Sequence, residues 1–483
     1  MTRTMHRTPA AVAAIAAAFA LACAPLAGAA EAAAVPAAVP AAAAPTTLAL
    51  PQAELDKLLA AYALIKQNYV GQADDKKLFA GALSGMLASL DAHSQYMNKD
   101  DMRELAREDS GEYVGIGIEV ELDRDRMRVA ATTDNSPAAR AGMQAGDIIT
   151  SIDGVALAGL ANSDVARRMH GAPGTVVTVG LNHGGKPRTL RITREALHNA
   201  TVTTRMAAPG LAWIRISEFG GATGADLAAA LRKLDDATPP RGLILDLRND
   251  PGGLVQAAVT VAGAFLPADT VLFSARGNAP GANATVTVNP RYYRLATETD
   301  VLDGLPAWTR TVPLTVLVNG ASASAAELVT GALQDQRRAT VVGSQTFGKG
   351  SIQSVIPLGE DSGIKFTVAR YFTPNGHEIQ AHGITPDVVV SPAAAADDDL
   401  LLRESDLANH LPPSVPAPAG KGDPLKRDPV ESTRLFGTRD DKALKTAVAL
   451  LAPGQQNGTT LAGLLHKLAR ELKPGSDSVA GAP

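Results

Sequence analysis

The chain has almost no cysteine: of 483 residues only Cys23 carries a thiol. A single thiol closes no intramolecular disulfide, so a framework of bridges is excluded. Charge of one sign is missing too. Forty-five Lys and Arg against 49 Asp and Glu give a net charge of −4, with charged residues at 19%, and no acidic or basic field points to nucleic acid or a charged membrane surface. Aromatics are 4%. After the first thirty residues no apolar run reaches the ~18 residues of a membrane span. At this length two to four folded units are expected, the hydrophobic share of 46% being ample for cores.

What is present begins with an export pattern. Arg3 and Arg7 precede an apolar run from Ala10 to Ala22, and Ala27-Gly-Ala29 offers small residues for a signal peptidase. Residues 1–30 read as a signal peptide directing the chain to the periplasm or cell envelope. The alternative is lipoprotein anchoring at Cys23, set second because Ala20 stands where leucine is expected. Residues 31–47, nearly all Ala, Pro and Val, read as a tether. Residues 48–110 read as a helical module: Leu55, Leu58, Leu59, Tyr62 and Ile65, then Leu78, Phe79, Leu83, Met86, Leu87 and Leu90, recur at three- and four-residue steps, with a break at Gly71, Asp74 and Asp75.

After Gly111 the period becomes two, at Ile116, Ile118, Val120 and Leu122. Ser136-Pro-Ala-Ala-Arg140 and Ala145-Gly-Asp-Ile-Ile-Thr-Ser-Ile-Asp153-Gly follow, and the span 111–196 resembles a PDZ domain. That resemblance implies a loop, Tyr113, Val114, Gly115, Ile116 and Gly117, whose backbone N–H groups meet a peptide carboxylate while the peptide adds as an edge strand. From 197 to 391 strands and helices alternate: 212–217, 242–247, 315–319 and 340–343 as strands, 227–234, 255–265 and 325–333 as helices. The apolar run at 242–247 suits a strand buried on both faces. Residues 392–483 read as a linker to about 425, then amphipathic helices at 442–451 and 460–472 with no evident chemistry.

The chemistry concentrates in two segments. Asn319-Gly-Ala-Ser322-Ala-Ser324-Ala-Ala-Glu327 places Ser324 where a buried strand gives way to a helix, beside helix-terminal N–H groups. Alone, it reads equally as a helix N-cap. Twenty-five positions later Phe347-Gly-Lys349-Gly-Ser-Ile-Gln353 sets a lysine between glycines, with no acid within five residues. A serine needs a base, and a lysine amine serves only when neutral; lowering its pKa from ~10.4 to ~8 takes roughly 3 kcal/mol of ammonium destabilisation, which burial supplies. Gln353 can orient the amine without adding charge if the chain bends at Gly350. The Ala325 N–H would face an oxyanion, with a further donor from Gly252 and Gly253 in Arg248-Asn-Asp-Pro-Gly-Gly253.

Two decoys fail. Gly343-Ser-Gln-Thr-Phe-Gly348-Lys349-Gly350 lacks the Ser/Thr of a phosphate loop and leads into a strand. His377-Glu-Ile-Gln-Ala-His382 is one residue too long for the helical zinc pairing and has Pro374, Gly376 and Gly383 around it. No metal or cofactor is expected.

Together, Leu90-Asp-Ala-His-Ser94, the PDZ stretch, Leu245-Asp-Leu-Arg-Asn-Asp-Pro-Gly-Gly253, Ser322 to Glu327, Phe347 to Gly350, Gln353 and Gly383-Ile-Thr-Pro-Asp387 resemble the carboxyl-terminal processing proteases, also called tail-specific proteases. The resemblance implies a crotonase-like ββα core in an α/β multidomain chain, with nucleophile Ser324, general base Lys349 and orienting Gln353. It sets Ser322 behind Ser324. An acid described in some relatives would fall on Asp335, eleven places along the helix and ~16 Å from Ser324, too far to act. Ala92 replaces a usual proline and Asp250 a usual asparagine. The expected activity is an exported serine endopeptidase acting on proteins or peptides with apolar C-termini, with Arg194 as a regulatory relay from the PDZ unit. An adaptor lipoprotein and a homo-oligomer stay open, as does the alternative of a catalytically silent PDZ scaffold.

Overall fold

The computed structural model describes residues 51–391, 401–415 and 436–452, except positions 111, 124–125, 133–135, 145, 158–164, 166–167, 199–200, 280, 295–298 and 439. The signal, the tether, Cys23 and the helix expected at 460–472 lie outside the described residues.

Helices α1 (Gln52–Asn68) and α2 (Asp75–Ala88) form a hairpin. Asp74 caps α2 by accepting from the Lys77 N–H at 2.9 Å, and Tyr62 meets Phe79 with ring centroids 5.4 Å apart. The periodic leucines are not a buried stripe: α1 buries no residue and Leu59 is 53% exposed. Among the described residues no third element covers that face of α1. Within the span expected to be helical, β1 (Gln95–Asn98) is a strand, and α3 (Lys99–Ser110) follows.

Strand β2 (Glu112–Gly115) opens the next unit, which continues through β3 (Ile118–Asp123), β4 (Arg126–Thr132), α4 (Pro137–Arg140), β5 (Ile148–Ile152), β6 (Val155–Ala156), β7 (Val176–His183) and β8 (Lys186–Thr193). Strand β9 (Glu195–His198) closes it by pairing antiparallel with β2. The sheet runs β3-β4-β5-β7-β8, so β3 is an edge. Val177, Val179 and Leu181 alternate into a core with Ile116, Val129, Ile152 and Ile192, as a period of two requires.

The protease-like portion contains β10 (Val202–Ala208), β11 (Leu211–Ile216), α5 (Thr223–Ala237), β12 (Gly242–Asp246), α6 (Val255–Gly263), β13 (Val271–Arg276), β14 (Ala284–Thr287), β15 (Leu314–Val318), α7 (Ala325–Asp335), β16 (Thr340–Gly343), β17 (Ser351–Pro357), β18 (Ser362–Phe372) and β19 (Val388–Val389). The sheet β10-β11-β12-β15-β16-β19 is parallel except at β10. A second, antiparallel sheet runs β1-β18-β13-β14, with β17 on β18. One core joins them, with Leu243, Leu245, Val259, Phe265, Phe273 and Val316 buried in it. Strand β1 pairs with β18 in the register Gln95↔Lys365, tying the N-terminal module to this sheet.

Two C-terminal segments differ from the expectation of linker and plain helices. Helix α8 (Lys442–Leu450) packs Ala443, Leu444 and Ala447 on Trp213, Ile244, Leu317 and Val342, the other face of the parallel sheet. This double burial accounts for the unbroken apolar run of β12. Residues 401–415 form a strap: Arg403 donates to Gln345 Oε1 at 2.8 Å, the Glu404 N–H to the Phe347 carbonyl at 3.1 Å, and Ser414 to the buried carboxylate of Glu378. Polar pairs dock it, and these leave no hydrophobic period in sequence.

Candidate active site

Ser324 occupies the junction between β15 and α7 with φ of 52° and ψ of −114°. A non-glycine residue rarely adopts positive φ, and such strain persists only where the surroundings impose it. Ser322 has a different duty: fully buried, it donates to the Leu247 carbonyl at 2.7 Å and accepts from the Asn319 N–H at 3.0 Å. Ser324 remains half-exposed. Ala325 begins α7, where an N–H has no partner inside the helix.

The loop after β12 wraps this junction. A Cβ added to Gly252 would lie 2.8 Å from Ser324 Cβ and 2.7 Å from the Ala325 nitrogen, so only glycine permits the approach. The two glycines divide their work, which corrects the expectation that both donate to an oxyanion. The Gly252 N–H donates to Asp250 Oδ1 at 2.8 Å. Beside Phe219, the bridge uses the Gly252 carbonyl (2.8 Å) and the Leu254 N–H (2.7 Å), so the Gly253 N–H points the other way.

Glu327 is the residue sequence reasoning passed over. Fully buried, its carboxylate accepts from the Ser324 N–H (2.9 Å), Thr346 Oγ1 (2.5 Å), the Gly348 N–H (2.7 Å) and the Lys349 N–H (2.9 Å). The Ser324 and Lys349 nitrogens share one oxygen, Oε2, and lie within twice that hydrogen-bond length of each other. Burial pushes the Glu327 carboxyl up to about 7 against the pull of its four donors. The Ser-x-x-Glu spacing of a capping box was the available signal.

Lys349 is half-buried. Burial holds its pKa below the usual lysine range and the charge of Lys365 pushes the same way, while Glu404 and Glu327 pull upward. Both acids come from far along the chain, so scanning five residues on either side could not find them. Gly350 abuts Gln380, whose backbone nitrogen an added Cβ would meet at 2.1 Å. Gln353 sits at a bulge in β17 and donates through Nε2 to Ser351 Oγ (2.9 Å) and Thr367 Oγ1 (3.3 Å).

The Leu90 to Ser94 motif supports this wall. Asp91 accepts from Ser94 Oγ at 3.0 Å, and Ser94 Oγ accepts from the Thr367 N–H at 3.3 Å. His93, which has no partner nearby in sequence, lies 2.8 Å from Glu404 Oε2 in the strap. Asp335, at the far end of α7, accepts from the Asn375 N–H. His377 and His382 contact Asp335 and the Glu378 carbonyl respectively.

In the PDZ-like unit, Tyr113, Val114 and Gly115 belong to the β2–β9 ribbon, leaving Ile116 and Gly117 at the turn before β3. Arg194 is buried and donates to the Met169 and Arg168 carbonyls and to Thr175 Oγ1, all within its own unit. Each of its three nitrogens has a partner there, two carbonyls and one hydroxyl.

Comparison with known families agrees with this geometry. The model for peptidase family S41 matches residues 210–390, that for the PDZ domain 114–193, and that for the activating protease CtpB N-terminal domain 15–101. A carboxy-terminal-processing protease of Bartonella bacilliformis is 37% identical over 381 residues, covering 77% of this chain and 84% of its own length. A probable CtpA-like serine protease of Staphylococcus aureus is 33% identical over 341 residues, 70% of this chain and 65% of its own. Among solved structures, a photosystem II D1 C-terminal processing protease aligns with a TM-score of 0.41 and 29% identity over 70% of this chain and 93% of its own. The extent of the 37% match decides the assignment: this chain belongs to the carboxy-terminal-processing proteases of peptidase family S41, PDZ-containing serine peptidases.

Proposed function

We propose that the chain is an exported endopeptidase that hydrolyses peptide bonds through Ser324 and Lys349. The observation that carries this is the shared Glu327 oxygen, which fixes the backbones of the hydroxyl and amine residues against each other around a half-buried lysine. In the first step neutral Lys349 Nζ removes the Ser324 proton as Oγ bonds to the scissile carbonyl carbon. The N–H groups of Ala325 and Gly253 stabilise the oxyanion. Collapse breaks the C–N bond, Lys349 returns the proton to the leaving amine, and water repeats the sequence on the acyl-enzyme. Gln353, with its amide nitrogen engaged, presents its amide oxygen to orient the amine.

Substrate capture falls to β3. Its free edge accepts a C-terminal tail as an added strand, and Ile116 and Gly117 present N–H groups to the terminal carboxylate. The N-terminal segment, with its arginines and small-residue cleavage site, delivers the enzyme to the periplasm or cell envelope.

Purified Ser324→Ala and Lys349→Ala variants test the chemistry. Each is expected to lose about 10³-fold or more in kcat on a peptide with an apolar C-terminus while keeping its circular dichroism spectrum. Near-normal turnover by either folded variant overturns the assignment.

A further inference from the structure

Arg248 lies two residues after β12, in the loop that reaches Gly253. It is 1% exposed and lies between two carboxylates. Asp246 accepts from Nε at 2.9 Å and from Nη2 at 2.6 Å; Asp441 accepts from Nη1 at 3.0 Å and from Nη2 at 2.6 Å. Asp441 belongs to the C-terminal segment, beyond the span that matches the peptidase family. Its oxygens also accept from the Leu444 N–H (3.0 Å), capping α8, and the Gly437 N–H (2.8 Å). Phe436 from the same segment stacks under the guanidinium at 4.0 Å.

The rest of the loop hangs from that root. Arg215 holds the Arg248 carbonyl at 2.7 Å and lies 3.8 Å from Asp246, so two arginines balance two acids. Asn249, at φ of 52°, exchanges hydrogen bonds with Asn319 of 2.9 and 2.7 Å. The Asp250 carbonyl accepts from the Ala323 N–H at 2.9 Å, directly before Ser324. A buried ionic cluster is no better for stability than apolar packing of equal volume, but its bidentate geometry fixes position.

We infer that Asp441 is a positioning residue for catalysis: through Arg248, the C-terminal segment sets the loop that places the Gly253 N–H beside Ser324. The inference rests on the proposed serine chemistry and extends it. Folded active sites of this chain are thereby completed by residues 193 positions after the arginine they hold.

The test uses the full chain. Asp441→Asn keeps the shape and removes the charge. Ala447→Gly loosens α8 without touching Arg248, and serves as a control for lost stability. Thermal midpoint, kcat and KM on an apolar-tailed peptide, and affinity for a peptide boronate, whose tetrahedral adduct carries an oxygen in the oxyanion position, are measured for each. Asp441→Asn is expected to lower kcat about 10- to 100-fold with KM within about twofold, and to weaken boronate binding in parallel. Ala447→Gly is expected to keep kcat at a comparable midpoint. Wild-type kcat in Asp441→Asn, or an equal kcat loss in Ala447→Gly at the same midpoint, overturns the clamp while an inactive Ser324→Ala leaves the serine assignment standing. An active Ser324→Ala overturns both.

Discussion

The ionisation of Lys349 and that of Asp250 each give this site a testable response to pH. In the proposed mechanism Lys349 must lose its proton to act, and burial followed by the Lys365 charge makes that easier. The acidic limb of kcat/KM is therefore expected below the ordinary lysine range. Lys365→Gln removes a repelling charge and should move that limb to higher pH; Glu404→Gln removes an attracting one and should move it lower. Identical profiles in both variants would mean another group sets the limb. Asp250 behaves oppositely. Its Oδ2 has no partner among the described residues and burial raises its pKa well above the carboxylate norm. Folded Asp250 keeps a proton that the unfolded chain releases near ~4, so stability falls as pH rises through the folded pKa and is full below ~4. Asp250→Asn should match the native chain in acid and melt higher at alkaline pH. A constant difference in melting temperature across pH would contradict this.

At the scale of elements, β11, β12, β15 and β16 and the helices α5, α6 and α7 are readable because each is a continuous apolar run or a 3.6-residue stripe, whereas β13 and β14, which lie between them, are not expected from the sequence. The Ser324 and Lys349 segments were readable because glycines and a strand-to-helix junction mark them. Other features were hidden for physical reasons. Strand β1 is four residues in a helical neighbourhood and exists because β18 offers an edge. The strap docks by Glu404, which is fully buried and reached by Gln380 Nε2 at 2.8 Å, while Gln380 Oε1 accepts the Gly350 N–H at 2.9 Å. These are contacts between distant polar residues, which no local pattern encodes. Glu327 differs, since its capping spacing was visible but its reach to Thr346, Gly348 and Lys349 was not. Replacing Gln380 with leucine strands the Gly350 N–H and leaves Glu404 Oε1 without its amide donor, and should cost about 1–3 kcal/mol of stability by urea unfolding. An unchanged denaturation midpoint would show that the strap is not coupled to the Lys349 loop.

The whole molecule joins a PDZ-like unit with an open edge strand to a protease core through the β2–β9 ribbon. If β3 and its preceding turn capture the terminal carboxylate, amidating the tail of an apolar peptide should raise KM about 10-fold and leave kcat nearly unchanged. Equal KM for the acid and amide forms would remove the turn from substrate recognition. Segments from the N-terminal module, the strap and α8 all bear on the core, reaching from Asp91 to Asp441 and so beyond residues 210–390 on both sides. The central claim is that Lys349 activates Ser324, and covalent labelling with a fluorophosphonate followed by peptide mapping tests it most directly. The account predicts a single adduct on Ser324 whose rate of formation rises with pH along the Lys349 limb and collapses in Lys349→Ala. An adduct on Ser322, or undiminished labelling of Ser324 in that variant, would contradict it.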